Sequence, residues 1–238
     1  MKIKKALLSC NKNPMYLDFW PLVSRVWKMK FGIDPVLIYV DEENSDIDNT
    51  YGPVYKMKPV KNYSTILQSQ FARIWLTQFF PDDICILTDI DMFPISKKYF
   101  VDQLIGINDE KYVHINPSHT IYEGASVPLC YNIAKGSTFV NVLNIDKDFE
   151  KFLIHNNIQD NWCADEWHLT TQIKKYDDQS IFENLQRDGG QNARRIDRSK
   201  WTYDPDLFSI DFYYDSHSIR PYSENKEEID KLITLILK

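Results

Sequence analysis

Two carboxylates spaced by one residue, Asp89 and Asp91, follow the uninterrupted apolar run Ile84-Cys85-Ile86-Leu87. An all-apolar segment of this length after the Pro81-Asp82-Asp83 turn predicts a strand buried on both faces, the usual state of a parallel strand covered by helices. In extended chain the two carboxylates share a face, roughly 6 to 7 Å apart along the strand. Carboxylates so placed repel unless a cation joins them. A hard divalent ion that also holds phosphate suits the position, because Mg²⁺ and Mn²⁺ take oxygen ligands and bind through one or two carboxylates plus substrate phosphates. Asp89 and Asp91 are therefore candidate metal ligands at a strand's carboxyl end, where open α/β sheets bind their ligands. Asp204-Pro205-Asp206 has the same spacing but no preceding strand, and reads as a solvated turn.

A second acidic pair, Asp165-Glu166, stands between Trp162 and Trp167. A carboxylate within hydrogen-bond reach of a substrate hydroxyl can take its proton, which makes both acids catalytic candidates. The same pair also fits a helix N-terminus, where acids are favourable, since an apolar segment from Leu169 follows. His217 is a lone histidine, and on its own a structural role is the commoner one. Arg187, Arg194, Arg195 and Arg198 surround Gly189-Gly190; guanidinium forks suit phosphate oxygens, although the pattern alone favours a solvated loop.

The opening segment must position some of these groups. Ile3 to Ser9 predicts a strand, Asn13-Pro14 a helix start, and Tyr16, Phe19, Trp20, Val23, Val26 and Trp27 the helix, with Gly32 as its C-terminal cap. Pro35 to Val40 predicts a second strand. A strand-helix-strand unit is normally a right-handed parallel crossover, which puts the loop Ser9-Cys10-Asn11-Lys12 at the carboxyl edge of the sheet. A further helix is expected from Ser64 to Phe80, with Leu67, Phe71, Ile74, Trp75 and Phe79 on one stripe and Gln70, Arg73 and Thr77 opposite. By pattern alone Arg73 is a solvated helix arginine. Tyr112–Ile115 and Thr138–Leu143 suggest strands, 132–136 a turn, Phe149–Ile154 a helix, and 223–238 a C-terminal helix with Ile229, Leu232, Ile233 and Ile236 on its apolar side.

With 238 residues the chain suits one α/β domain, taken as 1–222 and divided at about residue 95. A formal charge of -6 disfavours sequence-independent nucleic-acid binding, which depends on a basic face. Cys10, Cys85, Cys130 and Cys163 form no Cys-x-x-Cys pair and read as reduced thiols, which with no long apolar run suggests a cytoplasmic protein, peripheral to a membrane at most.

Thr88-Asp89-Ile90-Asp91 after a hydrophobic strand resembles the Asp-x-Asp motif of glycosyltransferases with the A-type fold. Gln70-Phe71-Ala72-Arg73 before it is similar to the aromatic-Ala-Arg element of the glycogenin-like and bacterial galactosyltransferase family. His217 followed by Arg220-Pro221-Tyr222 resembles that family's His and its Lys-Pro-Trp ending, with Arg and Tyr replacing Lys and Trp and a shorter gap. The resemblance implies a single Rossmann-like domain with a mostly parallel, helix-covered sheet, and transfer of a hexose from a nucleoside-diphosphate sugar, uridine-linked by preference, to a hydroxyl of a glycan or glycoconjugate. It implies that Arg73 touches the donor, that His217 is a third metal ligand, and that Arg220 binds the diphosphate. Ser9 and Asn11, with Tyr39 or Asp41 at the second strand's end, would hold base and ribose, and Lys61 is a weaker candidate for the nucleotide side. An imidazole ligand favours Mn²⁺ over Mg²⁺. The His-to-Pro-aromatic ending leans towards retention of anomeric configuration. A sugar-nucleotide nucleotidyltransferase is a distant alternative, since the first loop has no glycine, and a non-catalytic carbohydrate-binding domain would explain the aromatics without the paired acids.

Overall fold

Strand β1 (Lys5–Asn11) alternates its side chains between two hydrophobic cores, one on each face of the sheet. Ala6, Leu8 and Cys10 enter one core and Leu7 the other; in the same way Leu37 and Tyr39 oppose Val36, Ile38 and Val40, and Ile84 and Ile86 oppose Cys85 and Leu87. Because both faces are covered, these strands are apolar throughout rather than alternating. The computed structural model describes residues 1–42, 46–115, 126–185 and 193–238.

The main sheet runs β3 (Val54–Met57), β2 (Asp34–Val40), β1, β4 (Ile84–Leu87), β7 (Asn132–Lys135), β6 (Tyr112–His114), β8 (Phe182–Asn184). The first four strands are parallel, β7 is antiparallel to β4 and β6, and β6 and β8 are parallel. This is the expected α/β architecture with a mostly parallel sheet. Helices α1 (Trp20–Val26), α3 (Lys97–Phe100) and α7 (Lys226–Ile236) supply one core, while α2 (Thr65–Trp75), α4 (Gly136–Val142), α5 (Phe149–His155) and α6 (Ala164–Lys175) supply the other. The four apolar positions expected on the terminal helix are all buried in the α1 core. Among the described residues no helix is long and apolar enough to cross a membrane.

Several local expectations change. The Asn13 carboxamide caps only a turn, accepting from Met15 N–H, and the regular helix begins at Trp20, with Pro21 in its first turn. Gly32 does end that segment, with φ of 66°. Helix α2 is capped by Ser64, whose hydroxyl accepts from Leu67 N–H, and the Gln68 carboxamide bonds to the backbone of Val60 and Tyr63. The predicted turn at 132–136 is strand β7, because Asn132 satisfies its carboxamide N–H groups on the Pro128 and Leu129 carbonyls and leaves its backbone to the ladder. Residues 138–143, rich in β-branched types, lie in α4 and the residue after it, where Phe139, Val142 and Leu143 reach one core. Helical burial outweighs strand propensity there.

Strand β4 stops at Leu87, and the chain then changes sheets. Thr88 to Asp91 make the passage, and β5 (Met92–Pro94) joins a small sheet with β10 (Asp215–His217) and β9 (Arg195–Asp197). Asp215 anchors this sheet: it is fully buried, accepts two N–H groups of Arg195 at 3.0 and 2.7 Å, and accepts the Tyr131 hydroxyl at 3.1 Å. A buried pair of this kind is costly to break from one side.

Burial lowers the pKa of His114 and His168 to about 4. The unfolded value is about 6.5, so as pH falls the unfolded chain binds protons first; stability is whole above pH 6.5 and is lost towards pH 4 at about 1.4 kcal/mol per unit per histidine. Replacing His114 by Leu is expected to reduce the stability lost between pH 7 and pH 5, read from urea unfolding, by about 2 kcal/mol. An unchanged loss would show that His114 is not a source of the acid sensitivity.

Candidate active site

A cleft of about 450 Å³ opens at the carboxyl ends of β1 and β4. It is walled by the β1–α1 loop, one side of α2, the start of α6, and the ends of β9 and β10. Asp89, Asp91, Arg73, Asp165, Glu166, His217, Arg220, Ser9 and Asn11 all line it. Residues far apart in sequence meet because the sheet change fixes two registers. Met92 pairs with His217 and His217 with Asp197, so Asp91, His217 and Arg198 stand in a row. The Asp91 carbonyl accepts Ser218 N–H at 2.9 Å, closing the row.

The two carboxylates of the Asp-x-Asp element meet different cations. Asp89 forms an ion pair with Arg73, and its backbone N–H donates to Cys130 Sγ at 3.0 Å. Asp91, with a side chain only 5% exposed, presents Oδ2 to His217 Nε2 at 3.4 Å, Arg198 Nη1 at 3.5 Å and Arg220 Nε at 3.6 Å. The expected continuation of the strand through Asp91, with both acids on one face, is replaced by this turn.

Arg73 is buried, not solvated. Its second terminal nitrogen reaches Asp165 Oδ2 at 3.0 Å, so one guanidinium bridges the end of β4 and the start of α6. Burial opposes its charge, but Asp89 and Asp165 outweigh burial and raise its pKa. Asp89 is held below its ordinary value: burial acts the other way, and Arg73 overcomes it. Asp165 goes up, first because it is buried and only partly offset by Arg73. Glu166 goes up through burial and the neighbouring Asp165; its carboxylate accepts the Ser126 hydroxyl at 3.2 Å. Asp165 and Glu166 lie in the first turn of α6, as expected of acids at a helix N-terminus, and they also line the cleft.

At the opposite wall Ser9 donates its hydroxyl proton to the Ser69 carbonyl, and Asn11 Nδ2 donates to Thr65 Oγ1 at 3.1 Å, fastening the end of β1 to α2. Tyr39, Asp41 and Lys61 are not among the lining residues. Tyr39 is 1% exposed in the α1 core, because strand alternation turns it away from the α2 face. Sequence reasoning passed over Tyr16, which accepts a hydrogen bond from Arg220 while the guanidinium lies 4.8 Å over its ring. Of the arginine cluster, Arg195 is paired with Asp215, Arg194 packs over Phe212 and Tyr214, and Arg198 faces the cleft; Arg187, Asp188, Gly189 and Gly190 lie outside the described residues.

The donor set suits a divalent ion in part. Ligands on adjacent corners of an octahedral ion at about 2.1 Å are about 3 Å apart, close to the separation of Asp91 Oδ2 and His217 Nε2. Among the described residues no group of three His, Cys, Asp or Glu side chains is assembled for a metal, so phosphate or water oxygens would supply the remaining ligands.

No protein-family model matches the chain, and no curated protein matches it. Among solved structures it is similar to the galactosyltransferase LgtC, determined in complex with donor and acceptor sugar analogues, at 10% identity and a TM-score of 0.52 over 98% of this chain and 96% of that one. It is also similar to the apo-form glycosyltransferase GlyE of Streptococcus pneumoniae TIGR4, at 11% identity and a TM-score of 0.50 over all of this chain, which spans 62% of GlyE. At such identities the likeness is one of architecture: this chain has an A-type glycosyltransferase fold.

Proposed function

We propose that this chain is a hexosyltransferase that takes its sugar from a nucleoside diphosphate, with uridine the first nucleoside to test, and passes it to a hydroxyl of a glycan or glycoconjugate. The observation that carries this reading is the division of one cleft into a cationic end, made by Arg198 and Arg220 beside Asp91 and the His217 imidazole, and an end with two raised-pKa carboxylates, Asp165 and Glu166. A diphosphate suits the first end and a hydroxyl-bearing sugar the second. The fold supports the same division, since ligands of open α/β sheets lie beyond the strand ends.

Asp91 and His217 would hold Mn²⁺ or Mg²⁺, with Asp89 beside them. When bound, such an ion supplies a Lewis acid that stabilises charge on a departing diphosphate. Arg198 and Arg220 have N–H groups for phosphate oxygens beyond those directed at Asp91. Ser9 and Asn11 border the space for nucleoside. Arg73 holds Asp165 in place towards the sugar. Glu166, the more accessible of the two acids, is placed to accept the proton of an acceptor hydroxyl. The resemblance of the His217 to Tyr222 segment leans towards retention, in which the departing diphosphate would take that proton and Glu166 would lie beside the sugar; Glu166 as base belongs to an inverting transfer, and the pH dependence of transfer separates the two. The four free thiols support a reducing, cytoplasmic setting.

Incubation of the protein with Mn²⁺ and UDP-glucose or UDP-galactose is expected to release UDP, and Asp91→Asn to lower that rate by about 100-fold or more. Release of pyrophosphate would indicate a nucleotidyltransferase, and an unchanged rate in the variant would remove Asp91 from the site. Glu166→Gln is expected to leave UDP affinity unaltered and lower transfer by about 10²-fold. In the unsubstituted protein transfer requires the ionised carboxylate, so its rate should fall as pH drops through a value above the ordinary glutamate pKa of about 4.3. A pH–rate profile without that acid limb would exclude Glu166 as the base.

A further inference from the structure

Ten large hydrophobic side chains are exposed among the described residues, and three of them, Met15, Ile66 and Trp162, line the one cleft described above. Trp162 is 67% exposed and Ile66 50%. Single exposed hydrophobics need no explanation, but a gathering at the mouth of a polar cleft points to a ligand with an apolar face. The residue bearing the indole is also held in place. The Trp162 carbonyl accepts Gln70 Nε2 at 2.7 Å, and the Asn161 side chain accepts Cys163 N–H at 2.8 Å, so the segment before α6 is tied to α2.

We infer that Trp162, which lines the same cleft as Ile66, is the platform on which a pyranose ring of the acceptor rests. This rests on the hexosyltransferase reading and adds the acceptor's place and class. Trp162 is four residues from Glu166, at the carboxylate end of the cleft, which disfavours a phosphate or other anionic group. The remaining ligand is neutral, with one apolar face and hydroxyls at its edge, and a pyranose has that form: its C–H face covers an aromatic ring while its hydroxyls reach Glu166 and Gln70. A nucleobase would also stack on indole, but its diphosphate must reach Arg198 and Arg220, and the nucleoside wall at Ser9 and Asn11 leaves the Trp162 side to the acceptor. Trp167 is an internal control, since it is 52% exposed on the neighbouring α6 and does not line the cleft.

The test uses full-length protein and its Trp162→Ala, Trp162→Phe and Trp167→Ala variants. Each is titrated with methyl α- and β-glucopyranoside and galactopyranoside by saturation-transfer NMR, with and without UDP and Mn²⁺, and UDP affinity is measured separately by calorimetry. The inference expects at least one glycoside to bind, its Kd to rise about tenfold in Trp162→Ala, and Trp162→Phe to recover most of the loss. Trp167→Ala and all UDP affinities should stay unchanged. Equal glycoside affinity in Trp162→Ala, or a UDP affinity that falls in step with it, would overturn the platform; so would failure of every glycoside to bind a protein that does bind UDP. Failure to bind UDP with glycoside binding intact would instead overturn the donor reading.

Discussion

Arg73 is a buried cation held between two carboxylates from different parts of the chain, and the geometry of the cleft depends on it. Its helix lies on the sheet, Asp89 lies just past the end of the central strand β4, and Asp165 stands in the first turn of α6, so one guanidinium fixes three walls at once. Removing one partner of such a cluster costs about 3 to 5 kcal/mol, because the remaining charge is stranded away from water. The same arrangement separates the acids electrostatically. Asp89, next to Arg73 and partly accessible, stays ionised; Asp165, deeper, is pushed up, and Glu166 is pushed up beside it.

The second constraint is the change of sheet at the Asp-x-Asp element. A strand that continued straight would have carried Asp91 along β4 with both acids on one side. The turn hands the chain to β5, and pairing with β10 and β9 then sets His217 and Arg198 beside Asp91. Asp215 and Arg195 secure that pairing from beneath. The cationic end of the cleft is therefore a product of register in a three-stranded sheet, and the acidic end a product of α6 docking against α2.

The parts of the fold with local causes were legible in the residues. Apolar runs marked β1, β2 and β4 because both their faces are covered, and helical spacing marked α2, α5 and α7. Asn132 to Lys135 and the residues of α4 were misread because tertiary partners overrode a polar composition in one case and β-branched propensity in the other. Arg73 looked solvated on its helical wheel; only its resemblance to a family motif drew attention to it, since both partners are distant in sequence. Arg198 stood out only as one of four clustered arginines, with nothing to separate it from the others, because β9 is three residues long and its place comes from pairing with β10. Tyr39 was misplaced by a single step of strand alternation.

The most direct test of the account is calorimetric titration of UDP into the protein with Mn²⁺, repeated in chelator. The account predicts saturable binding that weakens strongly on chelation, with the nucleotide's diphosphate at the Asp91 end of the cleft. Absence of binding under both conditions, with GDP also failing, would contradict a nucleotide-sugar site; binding unaffected by chelation would contradict the role given to Asp91 and His217.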